Sequence, residues 1–432
     1  MMPILEYVPA TLKVMLVFII VLIAIRRKIS LGNAFLLGSV LMGVIFGLKP
    51  KTILSSIASS VLYPKTMSLA VIIALILVLS STMEKVGQMK RLLLHFQGLI
   101  SSKLLNLVMF PAIIGLLPMP GGALFSAPMV KELGEQTALA SDKLGFINYW
   151  YRHIWEYWWP LYPGVLLATA LAGLNLWKFV TIMVPLSVTA MVSGLFSIRG
   201  LNDNTQPLRP PLKARPPLKP FLNELSPILF VIVFGLGMGV FLSSYFPQWS
   251  VSREIGLITA LCIAIGWIWV ENNCPKTDIR KILTNPGLLG MMYMVIAILI
   301  FKGMLEDSHA VALISQEFRT NHMPITLITA LLPLLVGVVT GITIAFVGGT
   351  FPILILLIQS YGETQFMTAY IMLAMTCGFI GVLFSPLHLC LLLTNQYFSC
   401  RLAQSYKWLW LPCLLLFAFS SAYFYLLRYF FA

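Results

Sequence analysis

The chain has 432 residues, of which 59% are apolar and only 10% charged, and its mean hydropathy is +0.91. A soluble domain carries roughly 25% charged residues. The composition therefore excludes a soluble enzyme, a nucleic-acid binder and a disordered scaffold, and describes an all-α polytopic membrane protein with the lipid bilayer as its solvent. Lys and Arg number 29 against 15 Asp and Glu, a formal net charge of +14. In such a protein this excess reads as cationic loops on the cytoplasmic side, not as nucleic-acid affinity.

The first apolar run, Val14 to Ile25, follows no charged segment and precedes no small-residue cleavage pattern. It reads as a span, not a signal peptide. A crossing needs about 20 residues, which predicts spans near 10–26, 33–49, 66–84, 144–173, 177–198, 222–244, 254–271, 286–304, 366–397 and 407–428. The stretches 105–130 and 324–358 are apolar but cut by Gly and Pro, and read as re-entrant hairpins that enter and leave on one side. Met89–Ile100 and Ala310–Phe318 have helical amphipathic spacing. The expected architecture is thus about ten spans plus two hairpins.

Residues 199–221 hold six prolines and the cations Arg199, Arg209, Lys213, Arg215 and Lys219. Such sequence cannot enter a bilayer as a helix. It reads as a basic cytoplasmic linker dividing a first transmembrane repeat, 1–198, from a second, 222–432. Matches at near-constant offset support the repeat. Phe110-Pro111 and Gly115 parallel Leu332-Pro333 and Gly337 at 222, Met83 parallels Met304 at 221, and Phe96 parallels Phe318 at 222. Gly145-Phe146-Ile147 recurs as Gly378-Phe379-Ile380 at 233. Each half reads as three spans, an amphipathic piece, a hairpin, a broken span and a span. Five crossings per half invert the second half against the first, the architecture of many secondary transporters. The distribution of Lys and Arg, with Arg26-Arg27-Lys28 inside, places both termini outside and the linker in the cytoplasm.

The first hairpin carries Pro118-Met119-Pro120-Gly121-Gly122 and, beyond it, Ser126. No helix continues through that run. The freed N–H groups of Gly121, Gly122 and Ala123, aimed by the following helix, suit an anion; a packed turn is the plainer alternative. The second hairpin offers Thr340, Gly341, Thr343, Gly349 and Thr350, whose hydroxyls and freed carbonyls can hold substrate or Na⁺, or simply pack one helix against another. The first broken span contains Asn148, Arg152, His153 and Glu156. A helix starting near Leu144 puts Arg152 roughly 12 Å deep, and ionisable groups at depth default to function. Arg152 suits a carboxylate or phosphate. His153 and Glu156, spaced i, i+3, are candidates for proton coupling. Eight of the fourteen residues from Tyr149 to Tyr162 are Trp or Tyr, so an interfacial position is the competing reading. The second broken span, Ser385-Pro386-Leu387-His388, adds Ser385 and His388 as polar contacts.

The six cysteines, Cys262, Cys274, Cys377, Cys390, Cys400 and Cys413, form no C-x-x-C pair and read as structural thiols. No Walker A, G-x-S-x-G or H-E-x-x-H pattern occurs. No catalytic residue, cofactor or metal is therefore expected, beyond Na⁺ or H⁺ as a coupling ion.

Leu117-Pro118-Met119-Pro120-Gly121-Gly122-Ala123, Arg152-His153-x-x-Glu156 and Phe384-Ser385-Pro386-x-His388-Leu389 together resemble a prokaryotic integral-membrane family catalogued as domain of unknown function four-zero-one. The resemblance covers nearly the whole chain. That family is similar to the ion-transporter superfamily of citrate, gluconate and dicarboxylate carriers. The likeness implies opposed hairpins, elevator-like movement, a homodimer, and transport of a small organic anion coupled to H⁺ or Na⁺ across a prokaryotic cytoplasmic membrane. The chain lacks the Ser-Asn-Thr hairpin signature of the Na⁺–dicarboxylate branch. An ion channel or a non-transporting membrane partner protein is the alternative function.

Overall fold

The computed structural model describes residues 8–431 apart from 101, 120, 136–138, 199–215, 247 and 250. The first half builds α1 (Ala10–Arg26), α2 (Leu31–Ile45), α3 (Pro50–Leu62), α4 (Pro64–Lys85), α5 (Gln88–Phe96), α6 (Lys103–Ile114), α7 (Ala123–Glu135), α8 (Ser141–Arg152), α9 (Pro163–Ala172) and α10 (Leu176–Ser197). The second half builds α11 (Leu218–Tyr245), α12 (Ser252–Glu271), α13 (Lys276–Leu283), α14 (Pro286–Asp307), α15 (Ala310–Thr320), α16 (Ile325–Thr340), α17 (Thr343–Ser360), α18 (Met367–Phe384), α19 (Leu389–Phe398) and α20 (Leu402–Phe431). Element for element, the second half repeats the first.

Among the described residues, eight helical stretches are long and apolar enough to cross a bilayer, and the chain is an all-α, multi-pass membrane protein. The spans expected at 10–26 and 33–49 are helices of 17 and 15 residues. Two elements were not foreseen, α3 and α13, because both are short and rich in polar residues. The linker ends earlier than expected. The 218–221 segment opens α11, since Pro217 is the extended residue preceding it and Pro220 falls in the first turn, where no N–H is needed. The remainder of the linker, 199–215, lies outside the described residues.

The halves pack reciprocally: α2 lies on α14 as α12 lies on α4, and α5 on α11 as α15 on α1. Likewise α9 lies on α17 as α19 lies on α7, while α4 meets α14 and α10 meets α20. Two bodies result. One comprises α1–α4 with α11–α14; the other comprises α6–α10 with α16–α20. Polar anchors hold the first body to the amphipathic arms. Arg91 of α5 donates from Nε to Glu224 of α11 at 2.7 Å. Glu317 of α15 accepts the N–H groups of Ala10 and Thr11 at the start of α1, at 2.5 and 2.9 Å. Among the described residues, no side-chain hydrogen bond or ion pair joins the two bodies directly. Their boundary is apolar: Gly348 and Gly349 of α17 press on Ile298 and on Phe18 and Phe35.

Within the second body the tightest crossing is α16 against α18. A Cβ on Gly381 would lie 2.1 Å from the Leu334 carbonyl oxygen, and one on Gly337 would lie 2.2 Å from that of Gly378. Small residues let membrane helices approach where no hydrophobic effect drives them together. Gly381→Ala is expected to force these backbones apart and cost at least about 1–3 kcal/mol. A thermal melt in detergent checks this. Gly237→Ala, at a glycine of α11 with nothing within 4 Å, serves as the control and should leave the melt unchanged or raise it.

Candidate functional site

Both breaks and both hairpin tips converge. Helix α8 ends at Arg152, and residues 153–162 form tight turns until Pro163 starts α9. His153 and Glu156 therefore sit in the break itself, with the Glu156 N–H bonded to the His153 carbonyl at 3.1 Å, and not on a continuing helix face. The Trp and Tyr of this stretch mostly lie inside the protein. Tyr149, Trp150, Tyr151 and Tyr157 are buried. Three polar ends in this stretch meet freed backbone: Trp155 Nε1 donates to Ala112 at 2.7 Å, Tyr162 to Gly115 at 2.7 Å, and Tyr149 to Leu383 at 3.1 Å; Trp150 and Tyr151 donate to Ala190 and Met191 within α10.

Arg152 is 2% exposed. Its Nη2 donates to the Met119 carbonyl at the first hairpin tip at 3.0 Å, and the Tyr162 hydroxyl lies against the guanidinium. Its Nε has no partner, and among the described residues no carboxylate pairs with it within 4.0 Å. Gly122 makes room for it, because a Cβ there would stand 2.7 Å from Nη2 and 2.8 Å from Nε. Pro118 is buried beside this turn, and Gly121 takes a φ of +71° that favours glycine. The expected anion cradle of N–H groups is altered: the Gly122 N–H turns back to the Met119 carbonyl at 3.3 Å. Pro120 lies outside the described residues.

The second hairpin tip reaches the same place. Gly341, with φ +65°, follows α16, and its carbonyl meets His388 Nδ1 at 2.8 Å. A Cβ on Gly341 would meet Ser385 Oγ at 2.8 Å. Thr343 donates to Glu156 Oε1 at 2.9 Å. His153 Nδ1 meets the Tyr149 carbonyl at 2.5 Å, His153 Nε2 stands 3.1 Å from His388 Nε2, and Glu156 Oε2 lies 3.7 Å from His153 Nε2. The structure thus brings together Gly122, Arg152, His153, Glu156, Gly341, Thr343, Ser385 and His388, drawn from both halves.

Asn148 and Ser126 form an adjoining buried layer. Ser126 donates to Asn148 Oδ1 at 2.6 Å, and Asn148 Nδ2 donates to the Ala123 carbonyl at 3.0 Å and to Thr394 at 3.3 Å. Three expected residues are turned elsewhere. The hydroxyls of Thr340 and Thr350 bond within their own helices to Val336 and Phe346, and Gly349 faces Phe18 and Phe35. Helical Thr has this internal acceptor always at hand. Conversely, Tyr149, Tyr162, Thr394 and Cys390 belong to the site and were not foreseen. Cys390 looked like one more apolar thiol; its place two residues beyond His388, just after a break, was the available signal.

The family model described as "Protein of unknown function (DUF401)" matches residues 10–426. The chain belongs to the DUF401 family. A search of curated proteins finds no match. In this DUF401 chain residues of all three motifs that carried the resemblance reach the site: Met119 and Gly122 lie against Arg152, the Arg-His run ends α8, and the Ser-Pro-x-His break supplies His388.

Asn148 ties α8 to α7 and α19 through both ends of its amide. Asn148→Ala is expected to lower stability by about 1–3 kcal/mol, the cost of leaving buried partners unsatisfied. Asn148→Asp keeps the size but loses the donor to Ala123, and should not rescue it. Thermal melts of the three proteins in one detergent decide this.

Proposed function

We propose that this protein is a secondary active transporter of a small organic anion, driven by H⁺ or Na⁺, and not an enzyme. One observation carries the reading: a fully buried arginine with an unpartnered Nε, at the meeting point of a helix break and a hairpin turn. A buried cation without a carboxylate is costly. An anionic substrate offsets that cost, and a carboxylate matches the guanidinium's fork of donors. Hairpins and broken helices from two repeats enclosing one site are the usual construction of carriers.

The two bodies of the fold support elevator-like alternating access. Gly121, Gly122, Arg152, Gly341, Thr343, Ser385 and His388 all ride on the second body. Among the described residues no side-chain hydrogen bond crosses its boundary with the first, so displacement breaks none of those. The buried site corresponds to an occluded state. We place the protein in a prokaryotic cytoplasmic membrane, with the basic linker in the cytoplasm and both ends of the chain outside.

Reconstituted vesicles test this. Uptake of one or more small carboxylates is expected under an imposed proton or Na⁺ gradient, and it should saturate. Arg152→Ala should abolish it. Arg152→Lys keeps the charge without the fork, and should raise KM by about tenfold, the equivalent of about 1.4 kcal/mol. Absence of gradient-driven uptake of any anion, or full uptake by Arg152→Ala, would refute the reading.

A further inference from the structure

The two histidines of the site pose a problem of lone pairs. His153 Nδ1 and His388 Nδ1 each face a backbone carbonyl, of Tyr149 at 2.5 Å and of Gly341 at 2.8 Å. A carbonyl only accepts, so both Nδ1 atoms carry hydrogen and both neutral rings leave Nε2 bare. Yet the two Nε2 atoms stand 3.1 Å apart, face to face. Cys390 Sγ joins them: the three ligand atoms all lie within 4.8 Å of one another, and all three residues are at least nine-tenths buried.

We propose that His153, His388 and Cys390 form a binding site for a borderline-soft divalent transition metal ion of the zinc class. Three features favour a metal over a single shared proton. A tetrahedral zinc with ordinary zinc–nitrogen bonds holds its two nitrogens about 3.3 Å apart, close to the separation here. Each ring is already oriented by an Nδ1–H bond to a carbonyl, the outer-shell arrangement that fixes metal-binding histidines. A single proton bridges only the two nitrogens, whereas a metal uses all three ligand atoms, and two imidazoles and a thiolate select zinc-like ions over Mg²⁺, Ca²⁺ or Na⁺. Three protein ligands leave a fourth position open, beside Glu156 and one residue from Arg152. His153 comes from the first half and His388 and Cys390 from the second, so the ion would link the repeats at their breaks.

The test does not depend on transport, because binding is read without uptake. Tag-free full-length protein is expressed in medium supplemented with zinc or cobalt, purified, and dialysed against metal-free buffer. One metal per chain is expected. The cobalt protein should show sulfur-to-cobalt charge-transfer absorption, and X-ray absorption at the zinc edge should show one sulfur and two nitrogen neighbours. Cys390→Ser should remove the charge-transfer band, and His388→Gln should lower occupancy by at least about tenfold. No retained metal, an oxygen-only shell around zinc, or an unchanged band in Cys390→Ser would overturn the proposal. The wild-type spectra decide the matter if either variant fails to fold.

Discussion

A helix broken inside a bilayer frees carbonyls that lipid cannot satisfy, and the centre of this protein is arranged around that constraint. Several of the donors at the site answer a freed or exposed carbonyl. Trp155 serves Ala112, Tyr162 serves Gly115, Arg152 serves Met119, and Asn148 serves Ala123. His153 serves Tyr149, Tyr149 serves Leu383, and His388 serves Gly341. Trp and Tyr suit the task because each presents a large apolar body and one polar tip. Of the aromatics between Tyr149 and Tyr162, Tyr149, Trp155 and Tyr162 do this, while Trp150 and Tyr151 bond carbonyls within α10 and Trp158 bonds Ser187.

The same constraint explains why the breaks meet. Each tip's carbonyl is covered by the broken span of its own half, Met119 by Arg152 and Gly341 by His388, and the halves meet where those breaks pack together. Thr343, opening the second hairpin's return helix, donates to Glu156 in the first half's break. A Cβ on Gly121, at the first hairpin tip, would meet Leu393 of α19 at 3.1 Å. Contacts of this kind join the two halves at their breaks. Function and stability are then hard to separate at this centre: residues positioned to receive a ligand are also those that keep the backbone satisfied.

Much of this was legible in the sequence, and for identifiable reasons. Dense Gly and Pro with polar neighbours, as around Gly121-Gly122 and Ser385-Pro386, marked where helices end, whereas isolated Pro111, Pro333 and Pro352 sit inside continuous helices. A repeated order of elements survives the loss of residue identity, so Leu332-Pro333 could still point to Phe110-Pro111. What failed were inferences that depend on where a side chain turns. Thr340 and Thr350 have carbonyls of their own helices to bond, and Gly349 faces the other body instead of the site. The Gly122 N–H closes a turn instead of facing outward. Cys390 was hidden because cysteine in an apolar run resembles any small hydrophobe, and only the fold shows two imidazoles beside it. The short helices α3 and α13 are amphipathic, but they are too short and too polar on average to read as spans.

The distribution of polar contacts bears on how such a molecule could move. Within the second body the site is held by a dense set of hydrogen bonds, and α16 crosses α18 at backbone contact. Within the first body Trp269 bonds Thr82 and Tyr293 bonds Asn33. Between the bodies, among the described residues, no side-chain hydrogen bond is made, and Gly348 and Gly349 lie against Ile298, Phe18 and Phe35. In lipid a hydrogen bond broken during movement has no water to replace it, whereas one apolar surface sliding past another exchanges like for like. Internal stiffness with an apolar seam therefore permits the site to travel as a unit, its buried charge carried along with the backbone that supports it. The arms α5 and α15, anchored by Arg91–Glu224 and by Glu317 at the start of α1, are then the segments that must absorb the displacement.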